Sequence, residues 1–270
     1  MNSRRSKKYH ISVFVVVSAL VISLGSYFIV HTRQVAAEQA RILQEEQDSR
    51  KIEKKTFGQS VTGRPIDGYE IGNGPNTILL FASIHGDEIG TVDLLNRFVD
   101  EIKADPSKIS KTKKLIIIPI ANPDGYYDRT DKLNANEVNL NLNFTTSDWK
   151  DHGPEGNYAG LQPFSEPESK VIKQIVEQYN PSIMISYHAF GALVSPENGD
   201  SSTALGKWYA NKTGYIYYAD WDYPGTATKW FTETTGKPAI TVELTAYRPS
   251  DWEINKGALM ELVSSDSNQF

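Results

Sequence analysis

The chain contains no cysteine, which excludes disulfides, thiolate metal sites and cysteine nucleophiles together. Histidine is scarce as well. There are five, and His10 and His31 border an apolar run, so His85, His152 and His188 remain for any catalytic or metal chemistry. His152 lies in the polar, turn-rich stretch Trp149-Lys150-Asp151-His152-Gly153-Pro154 and reads as surface loop. Positive charge is in deficit. The first 33 residues carry five basic and no acidic side chains, which leaves 23 basic against 33 acidic in the remainder. Such an exterior argues against nucleic acid or an anionic surface as the main partner and suits a small substrate or a peptide. Internal repeats are absent.

One long hydrophobic run is present. Ile11 to Val30 is uncharged and about as long as the roughly 20 residues a membrane-crossing helix needs. Arg4, Arg5, Lys7 and Lys8 precede it and Arg33 follows. Positive charge is retained inside, so the expectation is a cytoplasmic tail (1–10), a signal-anchor (11–30), a charged stalk (31–55) and an extracytoplasmic domain (56–270). Val35-Ala36-Ala37 offers a small-residue cleavage site, and the length of the run favours the uncleaved anchor. The stretch from Glu38 to Lys55 is rich in Glu, Gln, Arg and Lys and reads as helical stalk or spacer.

Four short apolar runs bounded by turn formers predict buried strands: Thr77 to Ser83, Lys114 to Ala121, Ser182 to Tyr187 and Ala239 to Leu244. Asp87 to Ile102 has helical spacing through Ile89, Val92, Leu95, Phe98 and Ile102. A second helix is expected between Ser165 and Tyr179, where Ser165 and Glu168 have capping-box spacing and Pro167 suits the first turn. Strands alternating with helices predict an α/β sheet with helices on both faces.

In such sheets ligands gather beyond the carboxyl ends of the strands. The first run is followed by His85-Gly86-Asp87-Glu88 and the second by Asn122-Pro123-Asp124-Gly125. His188 follows the third, and the fourth contains Glu243. A catalytic zinc ion takes three protein ligands and keeps one position open, and His85, Glu88 and His188 can supply them. Glu243 is left to take a proton from the attacking water as general base. Taken singly, each residue has a commoner explanation: a surface ion pair for His-x-x-Glu, a helix-start acid for Asp87, a satisfied buried histidine for His188, a paired strand carboxylate for Glu243. Their joint placement at one rim is what points to hydrolysis.

These residues, with Asn139-Leu140-Asn141-Leu142-Asn143-Phe144 and Thr241-Val242-Glu243-Leu244 in the same order, resemble the zinc carboxypeptidases, and among them the bacterial murein peptide amidase branch. The resemblance covers roughly residues 57–248. It implies a mixed, mainly parallel eight-stranded sheet flanked by helices, one zinc ion and a promoted-water mechanism. By position, His85, Glu88 and His188 are the zinc ligands and Glu243 the general base. Arg129 and Lys132 both follow the Asn-Pro-Asp-Gly turn. Arg129 is favoured for polarising the scissile carbonyl, because guanidinium is the better oxyanion partner, and Lys132 is a substrate-binding candidate. Asn141 matches the asparagine at the substrate's terminal carboxylate, and Tyr247 the tyrosine that closes over substrate.

Two positions depart from the family's Asp-Leu-Asn-Arg-Asn-Phe. Asn139 replaces the aspartate that orients a zinc-bound imidazole, keeping an acceptor but losing the charge. Leu142 replaces the arginine that grips the substrate's free carboxylate. Another cation, Arg248 or Lys132, then takes that task, or the substrate is cut internally, or affinity is weak. Export and the murein branch imply peptidoglycan stem peptides, with the bond between D-glutamate and the following diamino acid as the candidate. Pro224-Gly225-Thr226 and the aromatics Tyr215, Tyr217, Tyr218, Trp221 and Tyr223 are candidate pocket walls. The rival readings are a carboxypeptidase of ordinary peptides, a silent wall-peptide-binding scaffold, motivated by Asn139 and Leu142, and a deacylase of N-acyl amino acids.

Overall fold

The computed structural model describes residues 3–48, 50–128, 132–153, 157–266 and 270. In its first helix the side chains of 3–14, 17–19, 21, 22, 45 and 47 lie outside the described set. The chain divides into two units, residues 1–48 and 49–270. The first is one helix, α1 (Ser3–Asp48). Among the described residues no helix is long and apolar enough to cross a membrane. Much of the apolar run from Ile11 to Val30 is among the side chains outside that set.

The second unit is built on an eight-stranded sheet of order β1-β2-β4-β3-β5-β8-β6-β7. Its strands are β1 (Ile52–Gln59), β2 (Pro65–Ile71), β3 (Asn76–Ala82), β4 (Lys113–Ile118), β5 (Ile183–Ala189), β6 (Leu193–Pro196), β7 (Ile216–Tyr217) and β8 (Ala239–Leu244). The centre, β4-β3-β5-β8, is parallel. β1 and β2 join one side antiparallel, and β6 runs antiparallel to β8 on the other. The four expected strands are these central four, whose continuous apolar sequences reflect burial on both faces.

Alternation along β3 shows how the two layers are fed. Ile78, Leu80 and Ala82 enter one apolar cluster and Leu79 and Phe81 the other, because successive side chains leave a strand on opposite faces. The first cluster meets α2 (Ile89–Ala104), α5 (Asp200–Thr213) and α7 (Trp252–Ser264). The second meets α4 (Pro167–Tyr179) and α6 (Ala227–Thr235); α3 (Pro123–Asp128) is a short turn of helix after β4.

Two expectations need correction. β1 begins at Ile52, pairing with Ile71, ahead of the expected domain start at 56. The polar side chains of 53–55 belong to an edge strand rather than a stalk. In α4, Ser165 is not the cap. Glu166 holds that position without a side-chain capping bond, and its carboxylate accepts from Asn134 and Asn136 (both 2.8 Å). Glu168 does not reach back to the cap either. Its carboxylate accepts Val61 N–H (3.1 Å) and Asn134 Nδ2 (3.2 Å), so both acids tie loops together instead of closing a capping box.

Candidate metal centre and catalytic cavity

β3 ends in a sharp turn at Ser83, whose φ of 49° lies in the left-handed region. Ser83 N–H donates to Thr91 Oγ1 (3.2 Å), and Ser83 O accepts Asn122 N–H (2.9 Å). The turn therefore rests on both α2 and the segment leaving β4. It delivers His85 and Glu88 to the carboxyl edge of the sheet, Glu88 immediately before α2. Gly86 is required there: a Cβ would stand 2.3 Å from the backbone of Gly125. The Asn-Pro-Asp-Gly segment is closed by Asn122, which accepts Gly125 N–H (3.0 Å) and donates to Leu133 O (3.0 Å). His188 lies on β5 directly opposite Glu243 on β8.

These residues converge as the sequence predicts. Ligand atoms of His85, Glu88 and His188 lie within 4.8 Å of one another. His85 Nδ1 is 2.7 Å from Glu88 Oε1, and His188 Nδ1 is 3.1 Å from Glu88 Oε2. That second pair is close but out of line, so the buried Oε2 is left without a hydrogen bond. An orphaned carboxylate oxygen between two imidazole nitrogens is what a cation would satisfy, and the donor set fits zinc.

The outer nitrogens are held from behind. His85 Nε2 faces Asn139 Oδ1 at 3.0 Å. Since that oxygen can only accept, His85 carries its proton on Nε2 and turns Nδ1 toward the cluster. His188 Nε2 is 2.9 Å from Ser186 Oγ and 3.4 Å from Asn141 Nδ2. Ser186 was not foreseen. The signal was its position two residues before His188, on the same face of β5.

Burial raises the pKa of Glu88, but the two imidazoles outweigh it and hold the carboxyl at about 2. Burial lowers that of His188, and Glu88 and Glu243 more than compensate, so it ends raised. Glu243 is pushed up to about 7, first by burial. A buried carboxylate poised near neutrality beside the candidate metal ligands has the properties of a general base.

His85, His188 and Glu243 open onto a cavity of about 190 Å³, lined also by Lys132, Asn139, Asn141 and Leu142. Asn141 is fixed by accepting Ala227 N–H (3.3 Å). Leu142 is buried and lies against Gly153 and Gly225. Tyr247 is about two-fifths exposed, stands with its ring 5.3 Å from that of Phe190, and is not among the lining residues. Arg129 lies outside the described residues. Of the candidate aromatics only Trp221 and Tyr223 line the cavity. Tyr215 is buried and hydrogen-bonded to Asp251, Tyr217 packs against the first cluster, and Tyr218 belongs to an adjoining groove. His152 is exposed. Thr226, from the candidate wall segment Pro224-Gly225-Thr226, lines the cavity too, and Asn157, Ser195, Glu197 and Thr241 complete the lining; Ser195 and Glu197 were not foreseen, because β6 was not recognised as a strand.

A mixed sheet whose carboxyl edge gathers two histidines and a glutamate with one orphaned oxygen, and a second carboxyl opposite, defines a metallohydrolase. The chain belongs to the zinc carboxypeptidase family, whose sequence pattern matches residues 42–207, more than half its length. It is accordingly a zinc metallopeptidase. It is 28% identical over 207 residues to murein peptide amidase A of Vibrio campbellii, spanning 72% of this chain and 79% of the relative. With murein peptide amidase A of Escherichia coli K12 it shares 24% over 190 residues, 64% of this chain and 74% of the relative. Among solved structures, murein-tripeptide amidase MpaA from Escherichia coli O157 superposes with a TM-score of 0.62 at 24% identity, covering 78% of this chain and 92% of that one. Carboxypeptidase A from Helicoverpa armigera superposes with a TM-score of 0.63 at 21% identity, covering 87% and 69%. These likenesses establish the fold.

Proposed function

We propose that the protein is a membrane-anchored, extracytoplasmic zinc peptidase that hydrolyses an amide bond in peptidoglycan stem peptides. The observation that carries the chemistry is the His85–Glu88–His188 cluster with its orphaned Glu88 oxygen, facing Glu243 across one cavity. In this reading the three residues hold the ion, which when bound supplies Lewis acidity toward a carbonyl and a water molecule. Glu243 accepts the proton of the attacking water and returns it to the departing amine. Asn139 and Ser186 keep the two imidazoles in register. Asn141 and Lys132 orient the substrate from the cavity wall, Tyr247 covers it, and Arg129 stabilises the developing oxyanion. The wall substrate is supported by the murein amidase relatives. The anchor and extracytoplasmic location are supported by the apolar run from Ile11 to Val30 and its flanking charges.

A second reading, a carboxypeptidase of ordinary peptides, uses the same cluster and base; the apolar, buried Leu142 leaves it without the family's grip on a free carboxylate. The test is incubation of the zinc-loaded full-length protein with purified muropeptides, with and without a chelator, and mass analysis of the products. Chelator-sensitive release of a diamino-acid fragment is expected. Intact muropeptides alongside cleaved L-peptides would favour the second reading.

A further inference from the structure

Beyond the catalytic cavity, a separate groove of about 430 Å³ is lined by Leu193, Tyr218, Asp220, Trp221, Asp222 and Tyr223, within the roughly 300–1,000 Å³ usual for small-molecule sites. Trp221 and Tyr223 line both spaces, so the groove continues the cavity. Its position follows from the sheet. Leu193 on β6 opposes Glu243 on β8, and β7 pairs with β6 on the far side. Tyr218, directly after β7, donates its N–H to Val194 O (2.9 Å) and carries that pairing one residue further. Two strand spacings of about 4.8 Å separate β8 from β7, roughly 10 Å, which about three extended residues span.

The aromatic wall is held in place. Asp222 Oδ1 accepts from Lys229 Nζ (2.6 Å), and the same buried lysine donates to Asp148 (2.7 Å). The rings of Tyr218 and Trp221 have centroids 6.5 Å apart at 72°, and those of Trp221 and Tyr223 5.5 Å apart at 65°. Edge-to-face contacts of this kind fix rings relative to one another, so a ligand meets preset aromatic faces and need not order them.

Three aromatic rings and two carboxylates, with no ammonium or guanidinium among the residues that line the groove, suit a saccharide. A pyranose has an apolar face of C–H bonds that lies against an aromatic ring. Its rim of hydroxyls donates to carboxylate oxygens in charge-assisted bonds. The charge distribution distinguishes this from an amine site. Lys229 already neutralises Asp222, whose Oδ2 accepts no hydrogen bond among the described residues. Asp220 is exposed and enters no ion pair among the described residues. The groove thus offers several open acceptors and one uncompensated charge, a pattern that serves a neutral polyol better than an ammonium.

We propose that this groove is a saccharide subsite, taking a neutral pyranose on the acyl side of the scissile bond. The inference rests on the wall-peptide reading and deepens it: the substrate is a sugar-bearing muropeptide in preference to the free peptide. In such a molecule the lactyl, alanyl and γ-glutamyl units separate the sugar ring from the bond before the diamino acid, and they match the roughly 10 Å between β8 and β7.

The test uses the zinc-loaded full-length protein in a detergent without sugar headgroups. It compares kcat/KM on N-acetylmuramoyl-L-Ala-γ-D-Glu-L-Lys and on N-acetyl-L-Ala-γ-D-Glu-L-Lys, which lacks the sugar. The sugar-bearing peptide is expected to be preferred about 10-fold, through KM. The same ratio is then read within each variant. Tyr218→Ala should abolish the preference, Asp220→Ala should reduce it, and Tyr218→Phe, which keeps the ring, should preserve it. Equal turnover of the two peptides by the wild type, or a Tyr218→Ala variant that slows both by the same factor, overturns the proposal. Titration with N,N′-diacetylchitobiose, followed by tryptophan fluorescence, needs no hydrolysis and so separates this inference from the wall-peptide reading. If neither peptide is cleaved, saturable binding of the disaccharide that Tyr218→Ala abolishes supports the saccharide site and counts against the wall-peptide reading alone. No binding, binding indifferent to Tyr218→Ala, or a response to L-lysine amide in its place overturns the proposal.

Discussion

Asn139 offers a sharp test of how the metal centre is held. Its Oδ1 accepts from His85 Nε2 at 3.0 Å and from Asn141 N–H at 3.1 Å, so one buried oxygen orients the candidate ligand His85 and caps the 3-10 turn Leu140–Leu142. Asn139→Ala removes both bonds. Loss of an outer-shell partner of a metal-bound histidine lowers metal affinity about 10- to 100-fold, or about 1.4–2.7 kcal/mol. Asn139→Asp keeps both acceptors and adds charge, so it should bind zinc more tightly than the wild type, while the metal-free protein loses stability by burying an extra carboxylate. Zinc affinity is read by competition with a chromophoric chelator, and circular dichroism confirms the fold. Wild-type affinity in a folded Asn139→Ala variant would refute the claim that this amide positions His85.

Other outcomes follow from the same geometry. Gly225 has φ 75° and a Cβ there would meet Leu142 O at 2.2 Å, so Gly225→Ala should cost about 2–4 kcal/mol in denaturant unfolding. Glu243 moves from 4.5 in the unfolded chain to about 7 in the metal-free fold. Because the folded-state value is raised, its contribution to stability is fully present below pH 4.5 and lost as pH rises through 7. In chelated protein, Glu243→Gln should therefore gain on the wild type by on the order of 3 kcal/mol between pH 4.5 and 8, and a difference that does not change with pH would contradict the burial of that carboxyl. Zinc at a thousand times its dissociation constant should stabilise the fold by about 4 kcal/mol. Calorimetry should show a fall in Tm on chelation that His188→Ala abolishes.

The centre of the fold was legible in the sequence because β3, β4, β5 and β8 are covered on both faces and read as unbroken apolar runs. The rest was hidden for local reasons. β1 alternates Lys, Glu and Thr along a half-exposed edge, and β6 and β7 are four and two residues long, too short for periodicity to show. The candidate metal residues were legible because each follows or lies within a readable strand. Ser186 and Glu197 were not, since their significance depends on which face of a strand they occupy and, for Glu197, on a strand that was not recognised. Ser165 misled because capping-box spacing records residue types and not where Glu166 and Glu168 find partners.

The proposed function has His85, Glu88 and His188 hold the ion while Glu243 does the proton transfer. The most direct measurement is zinc content and peptide hydrolysis of Glu243→Gln in the same sample. One zinc per chain with hydrolysis reduced on the order of 10²- to 10⁴-fold is expected. Near-wild-type turnover, or loss of zinc together with activity, would contradict that division of roles.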